Sequence, residues 1–303
     1  MLIVLEQVFS LFVFSMVGYI LAKVKLANTA HAKLLSSLLV YVFLPCNIFR
    51  TFSANCSLTY IQEKYDLLIW STVLIAVIVI ASRFGSKLFS KEDYPRKVYR
   101  YALTIPNYGY LGYALAESIL GPVGLLNMML FGLPISLYNY SGAFCMLTKR
   151  KLSLKTLLHP VIIAIVLGAA AGLLNLQLPE VIVSIMDKSS ACMGPVSMLL
   201  TGITVSEFHF PDLIRNKKTY VITFLRLIAI PGVIGALLLP LGNPVLVQSA
   251  VLLYAMPCGL NTIVFPKLVD ENCEIGASMA FVSNILACIT IPLMCALFGI
   301  GGA

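Results

Sequence analysis

Long apolar segments follow one another along almost the whole chain, and short charged or Pro/Gly-rich stretches separate them. An apolar segment of about 20 residues is long enough to cross a bilayer as a helix. The pattern therefore predicts an all-α membrane protein with ten transmembrane helices. The predicted spans cover residues 2–22, 34–52, 66–89, 98–120, 122–147, 155–175, 181–205, 218–240, 246–269 and 274–298.

The composition supports this interpretation, because 59% of the 303 residues are hydrophobic and 11% are charged, with a mean hydropathy of +0.94. A soluble domain of this size needs more polar residues to cover its surface. The lipid bilayer is therefore the predicted solvent of the outward faces. The eight cysteines form no C-x-x-C pair and no cluster with histidine, so neither a disulfide framework nor a metal site is predicted.

Lysine and arginine residues concentrate in the loops that follow odd-numbered spans, whereas the loops after even-numbered spans hold only Arg50 and Lys64. Cytoplasmic loops carry the excess of Lys and Arg, so the odd-numbered loops are predicted to be cytoplasmic and both termini to lie outside. The same rule accounts for the net charge of +8. Without a basic patch interleaved with aromatic residues, no nucleic-acid partner is predicted.

The ten spans divide into two halves of five. The first five-helix repeat is residues 1–148, a basic cytoplasmic linker is 149–154, and the second five-helix repeat is 155–303. Because each half has an odd number of spans, the second half would enter the membrane from the opposite side. Pro45 and Pro195 are 150 positions apart, and Pro106 and Pro257 are 151 apart. These offsets favour an inverted repeat.

Proline with polar and glycine neighbours interrupts the fourth and ninth predicted spans, at Ile105–Gly109 and Met256–Asn261. Proline removes a backbone hydrogen bond and crowds the preceding turn, so both spans are predicted to unwind near the membrane midplane. Each following half-helix exposes free N–H groups and a positive dipole end, which attract an anion, and Asn107 and Asn261 can donate to a carboxylate there. The alternative is a proline kink with each asparagine as a cap, but the symmetric pair favours two breaks.

The predicted substrate-binding residues are the two breaks and one arginine: Pro106, Asn107, Tyr108, Gly109, Pro257, Cys258, Gly259, Asn261 and Arg226. Arg226 lies about eight residues into the eighth span, where a charge is costly. It is predicted to hold an anion, to pair with Asp187, or to extend to the cytoplasmic surface. Asp187 is the candidate for ion or proton coupling, and the alternative is an interfacial residue that pairs with a neighbouring charge.

The first break and the eighth span resemble the auxin efflux carrier family, which includes bacterial malate and malonate permeases and plant auxin exporters. Four positions match the family pattern G-N-T-G-F-L-G-L-P, namely Asn107, Gly109, Leu111 and Gly112. Pro106 stands for the first glycine of that pattern and Ala114 for its final proline. Arg226 and Pro231 are similar to a recurrent R-L-x-x-x-P pattern of the family.

The resemblance implies a scaffold of spans 1, 2, 6 and 7 that forms a homodimer. It also implies a transport domain of spans 3–5 and 8–10 that crosses at the two breaks and moves as an elevator. The implied substrate is a small organic anion, a carboxylate such as malate, malonate or an auxin-like acid, driven across the plasma membrane by membrane potential or a proton gradient. Sodium coupling is an open alternative, because bile-acid symporters share the general fold. No cofactor is implied.

Two other function classes are open at this point. An intramembrane enzyme is disfavoured, because no span carries an H-E-x-x-H motif or an acidic pair with metal-ligand spacing. A receptor or sensor with a transporter fold would bind a ligand without moving it, and the residues do not exclude it. The sequence therefore predicts a secondary transporter that is not an enzyme, with binding alone as the alternative.

Overall fold

A computed structural model describes residues 2–151, 159–267, 269 and 271–301. Part of the predicted linker, residues 152–154, and the predicted start of the sixth span at residue 155 lie outside the described residues. Within the described ranges, the regular secondary structure is helical. The α-helices are α1 (Leu2–Lys23), α2 (Thr29–Leu38), α3 (Leu44–Asn55), α4 (Leu58–Glu63), α5 (Tyr65–Gly85), α6 (Asp93–Thr104), α7 (Tyr113–Tyr138), α8 (Phe144–Thr148), α9 (Pro160–Leu173), α10 (Glu180–Ala191), α11 (Met193–Val205), α12 (Phe210–Arg215), α13 (Lys217–Phe224), α14 (Ile230–Leu238), α15 (Pro244–Tyr254), α16 (Asn261–Lys267) and α17 (Glu274–Leu297).

Long apolar helical segments confirm a multi-pass membrane protein. Their outward faces carry large apolar side chains, among them Leu88 and Ile289, which are 85% and 70% exposed. Such faces are stable where lipid rather than water is the neighbour. Among the described residues, five segments are long and apolar enough to cross a bilayer: Ala30–Asn55, Tyr65–Leu88, Tyr108–Thr148, Lys217–Leu241 and Glu274–Leu297. Shorter apolar helices cover Phe12–Lys23, Pro160–Leu173 and Pro244–Tyr254.

Gly121 divides the longest of these segments. Its φ of 71° and ψ of −174° interrupt α7, so the chain turns where the sequence pattern separates the fourth span from the fifth. Glycine adopts this backbone conformation without a steric penalty. Pro122 follows directly and suits the first position of the helical part beyond the turn, because that position needs no N–H donor.

Proline also reshapes helices that remain continuous. π-helical turns cover Leu39–Phe43 and Leu225–Ala229, and each ends two residues before a proline, Pro45 or Pro231. Proline has no N–H, and its ring crowds the carbonyl four residues earlier, so the turn before it widens. The second of these π turns carries Arg226 into the protein interior.

Two helix pairs pack unusually closely, α1 with α11 and α3 with α9. A Cβ atom at Gly18 of α1 would lie 2.3 Å from the carbonyl oxygen of Leu199, and one at Gly168 of α9 would lie 3.0 Å from that of Phe49. Small residues let membrane helices approach until their backbones touch. Gly18 and Gly168 are 150 positions apart, which is the offset between Pro45 and Pro195.

Candidate functional site

The structure contains both interrupted helices at the prolines that the sequence singled out. Helix α6 ends at Thr104, and helical structure resumes with the π turn Tyr108–Gly112 that leads into α7. Helix α15 ends at Tyr254, and α16 begins at Asn261. Each predicted span is therefore a pair of half-helices with non-helical backbone between them.

The two breaks pair with each other through the backbone. The N–H of Asn107 donates to the carbonyl oxygen of Pro257 at 2.8 Å, and Pro106 and Cys258 form an isolated antiparallel bridge. The N–H of Cys258 donates to the hydroxyl of Ser283 on α17 at 3.0 Å. Unwound backbone inside a membrane protein needs such partners. Ser283 lies 25 positions beyond Cys258, so only the folded chain brings it to the break.

Gly259 lies where the two breaks approach most tightly. A Cβ atom there would lie 2.9 Å from the carbonyl oxygen of Ile105 and 3.1 Å from a ring carbon of Tyr101. Gly109, in the helical turn that follows the first break, has more room, because a Cβ atom would meet only Leu44 carbons at 3.9 Å. The two predicted glycines therefore have different roles, and only Gly259 is required by close contact.

The two predicted asparagines also differ. Asn107 is 2% exposed, and neither its Nδ2 nor its Oδ1 atom has a hydrogen-bond partner among the described residues. The Oδ1 atom of Asn261 accepts a hydrogen bond from the Tyr110 hydroxyl at 3.3 Å. A buried amide without partners costs about 1–3 kcal/mol. Asn107 thus holds unused donors and acceptors at the start of a half-helix, whereas Asn261 is partly satisfied.

Tyrosine hydroxyls join the breaks to the fifth span. The hydroxyl of Tyr108, a predicted site residue, lies 2.8 Å from the Ser136 hydroxyl of α7. Tyr101 donates to the Oδ1 atom of Asn139 at 2.6 Å. Nothing in the local sequence of Ser136 or Asn139 marks them, since only the folded chain brings the fifth span against the first break.

Arg226 caps the C-terminal ends of both half-helices that lead into the breaks. Its side chain is fully buried, and its Nη1 atom donates to the carbonyl oxygens of Leu103 at 3.0 Å and Ala102 at 3.4 Å. Its Nη2 atom donates to the carbonyl oxygen of Tyr254 at 3.4 Å, and the guanidinium carbon lies 5.5 Å from the centre of the Tyr254 ring. The interpretation that Arg226 extends to the cytoplasmic surface is therefore wrong.

Asp187 is not brought to the breaks. Its carboxylate forms an ion pair with Arg50 of α3, whose Nη1 atom also lies 3.7 Å from the carboxylate of Glu117. The predicted pairing of Asp187 with Arg226 is therefore wrong, and pairing with a neighbouring charge is what the structure shows. The role of Asp187 in ion or proton coupling stays a prediction. No group of three or more His, Cys, Asp or Glu residues in the described ranges is placed to hold a metal ion.

A multi-pass helical protein with two interrupted helices that meet at their breaks has the architecture of a membrane transporter. The chain belongs to the membrane transport protein family, which is the auxin efflux carrier family, and matches it over residues 3–151 and 143–295. It is also 24% identical to a protein of Methanocaldococcus jannaschii described as an uncharacterized transporter, over 96% of this chain and 98% of that protein. The family resemblance is confirmed, and the protein is a membrane transporter.

Proposed function

We propose that this protein is a secondary active transporter that moves a small organic anion across the plasma membrane. The observation that carries the proposal is the buried, unpartnered amide of Asn107 at the start of the half-helix that follows the first break. The free N–H groups and positive dipole end of a helix N-terminus attract an anion, and the amide adds donors. A carboxylate such as malate, malonate or an auxin-like acid accepts hydrogen bonds from donors of this kind.

The other residues of the two breaks complete the proposed site. Asn107 is its main donor, because its amide has no other partner among the described residues. Asn261 is the secondary donor, since the Tyr110 hydroxyl already engages its Oδ1 atom. The remaining contributors are Pro106, Tyr108, Gly109, Pro257, Cys258 and Gly259.

The proposed architecture has ten spans in two inverted repeats, residues 1–148 and 155–303, joined by the basic linker 149–154. The backbone pairing of the two breaks and the shared offset of Gly18 and Gly168 support the internal symmetry. The family match also divides near residues 143–151. With the cytoplasmic positive charges of the odd-numbered loops, both termini lie outside.

The proposed mechanism is an elevator in which spans 3–5 and 8–10 move against a scaffold of spans 1, 2, 6 and 7. Two close helix pairs, α1 with α11 and α3 with α9, lie within this scaffold, and the close pair α16 with α17 lies within the transport domain. A cavity of about 680 Å³ lies between α9 and the transport helices α5 and α7, and one of about 350 Å³ lies between α17 and the scaffold helices α1 and α11. Cavities along such a boundary leave room for relative movement, whereas close backbone packing does not.

The oligomeric state and the driving force in the proposal follow from the family resemblance. The scaffold forms a homodimer, and membrane potential or a proton gradient drives transport, with sodium coupling as the alternative. Asp187 is the candidate coupling group.

The test is the thermal stability of the purified protein against mono- and dicarboxylates, with and without sodium and at two pH values. A ligand that binds the native state stabilises it, by about 2.7 kcal/mol at 100 times its Kd. We expect a carboxylate-specific rise that Asn107→Ala abolishes. Asn216→Ala is the matched control, because Asn216 also begins a helix but caps α13 away from the breaks. It should lower stability by about 1 kcal/mol and leave the carboxylate response intact.

Uptake of the same carboxylate into proteoliposomes then separates the function classes. Flux of the unchanged compound supports a transporter, tight binding without flux favours a receptor, and protein-dependent conversion of the compound indicates an enzyme. Wild-type affinity in Asn107→Ala would refute the assigned site. The absence of a response to any carboxylate would contradict an organic anion as the substrate class.

A further inference from the structure

The described interior contains one charged side chain with no carboxylate partner. Arg226 is fully buried, and no other Arg and no Lys, Asp or Glu is buried among the described residues. A charge in the membrane interior costs several kcal/mol unless something compensates for it. The compensation here comes from backbone carbonyls rather than from an acidic side chain.

The three carbonyl groups that accept from Arg226 belong to the last turns of two different half-helices. Ala102 and Leu103 lie in the last turn of α6, and Tyr254 is the last residue of α15. The last four carbonyls of a helix have no partner within the helix, and they carry the negative end of the helix dipole. One guanidinium therefore satisfies orphan carbonyls of both half-helices that point into the crossing.

We propose that Arg226 is the positioning charge of the anion site: it neutralises the two negative helix ends at the crossing and leaves the positive helix start at Asn107 unbalanced. This inference rests on the proposed function. Each helix end is equivalent to about half an elementary charge, so two C-terminal ends carry about −1, which the single positive charge of Arg226 balances. An anion at Asn107 then faces a positive pole without a competing negative one.

The same geometry separates Arg226 from the residues that would touch the substrate. Its Nη1 and Nη2 atoms are already bonded to carbonyl oxygens, and the guanidinium lies against the ring of Tyr254. The Nε–H is the one group of the guanidinium without a hydrogen-bond partner among the described residues. Arg226 therefore acts on the anion through the field of the crossing and through the position of the half-helices. Direct contact of Arg226 with the anion stays a prediction beside this indirect role.

Two substitutions separate charge from hydrogen bonding. Arg226→Lys keeps the positive charge, whereas Arg226→Gln keeps donors and loses the charge. We measure the stability of the ligand-free protein and the affinity for malate, malonate and acetate in the purified full-length chain. Arg226→Lys should bind within about threefold of wild type and Arg226→Gln about tenfold more weakly, as expected for the loss of a unit charge near the site at an effective dielectric constant of about 20.

A second pair of variants leaves the arginine in place, in case Arg226→Gln fails to fold. Thr223 lies three residues before Arg226 and on the same side of the helix, is fully buried, and its hydroxyl has no partner among the described residues. Thr223→Asp introduces a buried negative charge within about one helical turn of Arg226 that opposes its positive charge, whereas Thr223→Asn is the neutral isostere. The Asp variant should bind carboxylates about tenfold more weakly than the Asn variant.

The outcomes distinguish this inference from the proposed function. If the wild-type protein binds no carboxylate, the proposed function fails, and the ligand-free stabilities still decide whether a positive charge at residue 226 holds the crossing together. Equal stability of the Lys and Gln variants would then overturn the inference. If the wild-type protein binds, equal affinity of Arg226→Lys and Arg226→Gln, or of Thr223→Asp and Thr223→Asn, overturns it. A loss confined to the charge-cancelling member of each pair supports it.

Discussion

Replacing Gly259 by alanine tests the close crossing of the two breaks. The added Cβ atom would lie 2.9 Å from the carbonyl oxygen of Ile105 and 3.1 Å from a ring carbon of Tyr101. A backbone oxygen cannot turn aside as the end of a flexible side chain can, so the two breaks must separate. That separation would lengthen the 2.8 Å hydrogen bond from the Asn107 N–H to the Pro257 carbonyl oxygen.

Two effects of Gly259→Ala lower the stability, and a third, smaller effect raises it. Overpacking a well-packed interior costs about 1–3 kcal/mol. Weakening the backbone hydrogen bond costs up to about 0.5–1.5 kcal/mol more. Alanine restricts the unfolded chain and returns about 0.4–1 kcal/mol. We therefore expect Gly259→Ala to lower the free energy of unfolding by about 1–3 kcal/mol.

Thermal or denaturant unfolding of the purified protein in one detergent measures this loss, and Gly109→Ala is the matched control. Gly109 lies in the helical turn Tyr108–Gly112, and its added Cβ atom would make only ordinary contacts with Leu44 at 3.9 Å. Alanine is favoured over glycine in a helix by about 0.5–1 kcal/mol, so the control should be at least as stable as wild type. Equal stability of Gly259→Ala and Gly109→Ala would refute the close crossing.

Three further predictions address other parts of the chain. Gly202→Ala would place a Cβ atom 1.9 Å from a carbonyl oxygen of α1. The same unfolding assay should therefore show a larger loss of stability than for Gly259→Ala, and a smaller loss would contradict the close packing of α1 with α11. Glu207→Gln breaks the 2.8 Å ion pair with Lys267. We expect a loss of stability of at most about 1 kcal/mol that becomes smaller at high salt, because the pair is partly exposed. A larger loss that does not depend on salt would contradict this expectation. Hydrogen bonding by Lys97 lowers the pKa of the Asp93 carboxyl. The Asp93–Lys97 ion pair therefore stabilises the folded protein above the unfolded-state pKa of Asp93, and this stabilisation is lost as the pH falls through the folded-state pKa. The thermal unfolding midpoint of Asp93→Asn should lack this dependence on pH. If Asp93→Asn and wild type lose stability equally as the pH falls, the effect is excluded.

The candidate site was only partly predictable from the sequence. Pro106 and Pro257 mark the two breaks because the loss of an N–H and the crowding by the ring are local properties of proline. Asn107 and Asn261 look equivalent in sequence, yet Tyr110 engages one amide and leaves the other unpartnered. This difference depends on which side chains the fold brings to each break.

The sequence by itself determined that lipid surrounds this protein, that its regular structure is helical, and where two of its helices break. Each of these properties depends on residues close together in the chain: the length of an apolar segment, or a proline among glycine and polar neighbours. Only the tertiary structure decided the partners of Arg226 and Asp187. Arg226 donates to the carbonyl of Leu103, 123 positions away, and to that of Tyr254 in the ninth span. Asp187 pairs with Arg50, which lies 137 positions away. Such partners depend on how helices pack against one another, and the helix pattern along the chain does not encode that packing.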